Sequence, residues 1–98
     1  MTKKMIRELV KYLDGEARKE SKEFGYPPSK KELKRLIQND AELAENTLAL
    51  HLKDILTEIN LIGLFWSLDG HDYANQARVL LKHLCEKWRV TPQRRKIR

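Results

Sequence analysis

Cysteine is almost absent: Cys85 stands alone among 98 residues. One thiol excludes an intramolecular disulfide framework and any Cys-rich zinc site, and it fits a reducing compartment. Long apolar runs are missing too. The longest is Leu61 to Trp66, six residues with a glycine among them, far short of the roughly 20 that span a bilayer. Met1-Thr-Lys-Lys leads into no extended apolar stretch, so no signal peptide is expected. Glycines number four and prolines three. None stands in a phosphate-binding loop, and no internal repeat or low-complexity segment is visible. His51, His71 and His83 share no metal-ligand spacing, and no paired-carboxylate signature appears. No enzyme, cofactor, metal, small-molecule ligand or membrane association is expected. The expectation is a soluble, cytoplasmic, single-domain chain.

What is present is charge, unevenly placed. Hydrophobic residues make up 41% and charged residues 35%, apolar enough for a core. The 20 Lys and Arg outnumber the 14 Asp and Glu, for a net charge of +6. Residues 1–28 carry +2, residues 29–68 carry −1 and residues 69–98 carry +5. The ends hold the positive charge. A basic domain points towards a polyanion, with nucleic acid ahead of a membrane surface.

Periodicity predicts four helices. Thr2 caps the first, with Ile6, Leu9, Val10, Leu13 and Ala17 on one stripe. Gly15 marks a possible break, and Gly25 before Tyr26-Pro27-Pro28 marks a stop. Ser29-Lys-Lys-Glu32 is a capping box opening a second helix, with Leu33, Leu36 and Ile37 inward. Gln38-Asn39-Asp40 reads as a turn. Asn39 and Glu42 offer a second box, opening a third helix to about Ile59 that buries Ala41, Ala44, Leu48, Leu52, Ile55 and Ile59. Leu61–Leu68, Asp69-Gly70 and His71-Asp72-Tyr73 then read as a β-hairpin. A last helix from Ala74 to about Arg89 buries Ala77, Leu80, Leu81, Leu84, Cys85 and Trp88, and Thr91-Pro92 ends it.

That order predicts a mainly α fold with a small β-hairpin: a winged helix-turn-helix with an additional C-terminal helix over residues 1–90, then a basic, flexible tail over 91–98. A plain four-helix bundle is the main structural competitor, which leaves the Leu61–Tyr73 stretch with its Asp-Gly turn unexplained. Gly25-Tyr-Pro-Pro-Ser-Lys-Lys-Glu-Leu33 resembles the start of the helix-turn-helix in the reading head of LexA-like SOS repressors. His51-Leu-Lys-Asp-Ile55 with Asn60-Leu61-Ile62 is similar to the end of that family's recognition helix and its first wing strand. The likeness spans roughly residues 5 to 73. The turn before the third helix reads as longer than the family's and lacks its glycine.

The resemblance implies binding of double-stranded DNA, with the role of a small transcriptional regulator. The third helix would enter the major groove and present Asn46, Thr47, Leu50 and Lys53, of which Asn and Thr have the chemistry to meet base edges. Ser29, Lys30 and Lys31 at the mouth of the second helix, His71 on the wing, and Arg94, Arg95 and Lys96 in the tail complete the expected DNA contacts. Phe65 and Trp66 are expected under the wing, in the core. Glu42 and Glu45 oppose approach to phosphate, and Leu43 and Leu50 could anchor a protein instead. The alternative is therefore a winged-helix protein-interaction module, an inhibitor or assembly factor. RNA binding has no recognisable motif behind it. The broad apolar arc of the last helix predicts a symmetric homodimer sealed by Leu80, Leu84 and Trp88.

Overall fold

A computed structural model describes residues 2–15, 29–67 and 72–94. Ala17, Arg18, Lys19, Gly25–Pro28, Asp69-Gly70, His71, Arg95, Lys96 and Arg98 lie outside the described residues. Five helices follow in chain order: α1 (Lys3–Leu13), α2 (Lys30–Asn39), α3 (Ala41–Glu58), α4 (Ile62–Trp66) and α5 (Tyr73–Trp88). No strand occurs among the described residues. The predicted winged helix-turn-helix is thereby overturned, and the described residues form an all-α arrangement.

The caps explain each helix start. Thr2 Oγ1 accepts from the Met5 N–H at 3.2 Å, and Ser29 Oγ from the Glu32 N–H at 3.2 Å. For α3 the cap is Asp40, whose carboxylate accepts from the Leu43 N–H at 3.2 Å; the predicted cap, Asn39, is the last residue of α2. One residue therefore separates α2 from α3. The longer turn expected from the sequence is not there, because Asp40 ends one helix and starts the next.

The predicted hairpin fails for a local reason. Asn60 adopts a left-handed φ of 60°, and its N–H bonds Thr57 O at 3.1 Å while the Leu61 N–H bonds Leu56 O at 2.7 Å. This pair of bonds is the Schellman motif, and buried Leu61 and Leu56 supply its hydrophobic contact. The chain turns back within three residues and enters α4, so no strand starts at Leu61. On the far side, Asp72 accepts from the Ala74 N–H at 2.9 Å and caps α5 at Tyr73. Asp72 and Tyr73, read as part of a return strand, are a helix cap and a helix start.

The core is formed mainly by α3, packed against α5 and α2, with α1 against α5 and α4 closing one end. Met5, Tyr12 and Leu56 join it although the sequence stripes passed over them. Phe65 is buried, stacked on Tyr73 at 4.9 Å, whereas Trp66 is half-exposed, against the expectation of a core tryptophan. Leu80 and Leu84 are fully buried and Trp88 nearly so. The seam expected to join two copies is spent inside one chain, because α3 and α1 cover both flanks of α5.

Two long-range clasps set the arrangement. Arg89 ends α5 with φ 55° and ψ 49°, releasing Val90 into the core and the chain back towards the α2–α3 corner. There the Gln93 N–H donates to Ile37 O at 2.9 Å, and Gln93 O accepts from the Ala41 N–H at 2.7 Å. Each bond satisfies a backbone group that a helix end leaves without an intrahelical partner. Residues 91–94, read as the start of a flexible tail, are thus docked across the corner. At the other end Asp14, just past α1, accepts from Trp88 Nε1 at 2.8 Å and pairs with Lys30 at 2.9 Å and Lys87 at 3.4 Å.

Candidate nucleic-acid interface

Charge follows the helices. In α1 and in α2 four cations stand against one acid, whereas α3 has Glu42, Glu45, Asp54 and Glu58 against Lys53. Asn46, Leu50 and Lys53 all point outward on α3, as predicted for a reading face. Thr47 is half-buried on the same side, and its hydroxyl donates to Leu43 O at 2.8 Å. The surroundings are not those of a phosphate-tracking helix. Exposed Glu42, Asp54 and Glu58 flank the stripe, and Leu50 is 78% exposed at its centre.

Glu45 behaves differently from its expected role. Its side chain is largely buried and held by Arg94 at 2.6 Å, with Arg78 at 4.0 Å. Arg94, read as a phosphate contact, is thereby engaged within the chain. Both line a second groove of about 500 Å³, with Val79, Leu81, Cys85 and Pro92 as its apolar wall. Burial pushes the Cys85 thiol above its ordinary value, which keeps it a thiol rather than a thiolate.

The cations gather elsewhere. Lys3, Arg7 and Lys11 recur every fourth residue, so they form one row about 12 Å long on α1. The row borders a groove of about 520 Å³ floored by Ile6 and Val10, with His83, Glu86 and Lys87 of α5 opposite. The Asp14 clasp carries this surface on to α2. Lys30 lies 5.6 Å over the Trp88 ring and 2.9 Å from Asp14, and Lys31 is exposed beside it. Asp14 is held below the ordinary carboxylate range chiefly by its hydrogen bond with Lys30, helped by Trp88 and Lys87 and opposed by burial. Ser29 is half-buried, and its hydroxyl is occupied as the α2 cap.

The structure therefore separates the expected DNA contacts into two groups. Lys30 is linked through Asp14 to Lys87 at the end of α5, and Lys31 is exposed next to it in sequence, while Asn46, Thr47, Leu50 and Lys53 sit on a face with more acids than cations and two exposed leucines. Sequence reasoning set aside the α1 row; its signal was the four-residue recurrence of Lys3, Arg7 and Lys11. Among the described residues, no group of three or more His, Cys, Asp or Glu side chains is placed to hold a metal, and no helix is long and apolar enough to cross a membrane.

Fold and surface together define, over the described residues, a small all-α domain in which cations outnumber acids on α1 and α2 and acids outnumber cations on α3. Comparisons with family models, curated proteins and solved structures find no match for the chain.

Proposed function

We propose that this domain binds double-stranded DNA without catalysis, holding the phosphate backbone on the basic surface of α1, the start of α2 and the end of α5. The single observation behind the reading is the balance of charge, with four cations against one acid on each of α1 and α2, and with Lys3, Arg7, Lys11 and Lys87 around one groove that holds a single acid, Glu86. Such a surface supplies sequence-independent affinity by releasing counterions. The proposal is one of backbone binding rather than base reading. Fluorescence anisotropy with a short random-sequence duplex tests it across a salt series. Changing Lys3, Arg7 and Lys11 to Gln should flatten the plot of log affinity against log salt by about 0.9 per lost phosphate contact. Changing Asn46 and Lys53 to Ala should leave that slope nearly intact. An unchanged slope in the α1 variant would refute the reading.

A second reading, protein docking, is favoured by one feature: exposed Leu43 and Leu50 on the acidic face of α3.

A further inference from the structure

Two surfaces of this chain complement one another. On α3, Leu43, Thr47 and Leu50 follow the i, i+4, i+7 spacing with which a helix anchors in a groove. Leu43 is 48% exposed and Leu50 78%. Around them stand three exposed acids, Glu42, Asp54 and Glu58, and one exposed cation, Lys53. The groove between α1 and α5 has the opposite balance, an apolar floor of Ile6 and Val10 with four cations, Lys3, Arg7, Lys11 and Lys87, against one acid, Glu86. The lengths also agree. Leu43 to Leu50 covers about 10.5 Å of helix axis, and Lys3 to Lys11 about 12 Å.

We propose that the outward stripe of α3 in one copy seats in the α1–α5 groove of a second copy, giving head-to-tail self-association. The leucines would meet Ile6 and Val10, and the acids would meet the cations along α1. The inference rests on the second reading, α3 as a docking face, and not on the nucleic-acid proposal. Because the two faces differ, each pair keeps one free donor stripe and one free groove, so growth continues past the dimer unless a ring closes. This differs in kind from a symmetric pairing through α5, whose seam residues are buried. The contact is a single helix in an open groove, so it is a weak one, and it weakens further as salt screens the charges.

Sedimentation equilibrium on the nucleic-acid-free chain tests this. At low salt, the weight-average mass should climb with concentration above the 11.6 kDa monomer, and high salt should return it to that value. Leu50→Arg places a cation against the cationic groove, and the pair Arg7→Glu with Lys11→Glu reverses the groove's charge. All three positions are exposed, so circular dichroism should report unchanged helix content. Each variant alone should stay monomeric. Mixed together they should associate, since Leu50→Arg keeps an intact groove and the charge-reversed chain keeps an intact α3. A wild-type chain monomeric at hundreds of micromolar in low salt would overturn the inference. So would a single variant that still associates, or a mixture that stays monomeric. Because the charge-reversed chain also loses cations of the proposed duplex surface, duplex binding is read on the wild type and on Leu50→Arg, where the nucleic-acid proposal fails or stands by its own salt slope.

Discussion

Replacing Asp14 should unfasten three helices at once, and the cost follows from its contacts. The carboxylate accepts the indole N–H of Trp88 at 2.8 Å and pairs with Lys30 and Lys87, which are 44% and 42% exposed. A hydrogen bond to a charged acceptor contributes about 1.5–3 kcal/mol, and removing the acceptor leaves the nearly buried indole unsatisfied. The two ion pairs are open to solvent, so each contributes well under about 1 kcal/mol. Asp14→Ala should therefore cost about 2–3 kcal/mol, which for a domain of this size lowers Tm by roughly 10–20 °C. Asp14→Asn retains an acceptor for Trp88 and loses only the charge, so it should cost about 1 kcal/mol. The pH dependence supplies an independent check. Folding lowers the pKa of Asp14, so its stabilisation is complete above the unfolded value of about 3.9 and drains away as pH falls through the folded value. Urea titrations from neutral to acid pH should show Asp14→Asn converging on the wild type in that window. Equal costs for Ala and Asn at neutral pH, or a gap that persists unchanged into acid, would refute this account of the clasp.

Two backbone predictions accompany it. Arg89 pays a steric cost at φ 55° that glycine would not, so Arg89→Gly should raise stability by about 1 kcal/mol in urea denaturation; a loss would mean the arginine side chain has a contact that outweighs the strain. Gln93→Pro deletes the N–H that meets Ile37 O and should cost about 1–3 kcal/mol. Arg94→Ala, which removes the half-exposed partner of Glu45, should cost under about 1 kcal/mol by the same measurement. If Arg94→Ala proves the costlier of the two, the ion pair rather than the backbone pairing holds the corner.

The sequence by itself determined four of the five described helices and much of what they bury, while α4 read as a strand. Capping residues and 3.6-residue stripes are local, so Thr2, Ser29 and the Leu48–Leu52–Ile55 face were legible before any tertiary contact was known. The charge difference between α3 and its neighbours was equally legible, since it needs only composition. What the sequence could not decide was direction at the junctions. Asn60-Leu61 suits a strand start as well as a Schellman turn, and burial of Leu61 beside Leu56 selects the turn. Asp72 suits a strand or a cap. Nor does any local pattern show that α1 and α3 together cover α5, which turned a predicted dimer seam into core. The candidate surface follows the same division. The Lys3, Arg7 and Lys11 row is written in a four-residue period, but its groove, its continuity with Lys30 and the capture of Arg94 by Glu45 depend on contacts between residues tens of positions apart. Such contacts are fixed only when the whole core closes, because each is a small energy that becomes decisive once packing has brought its partners together.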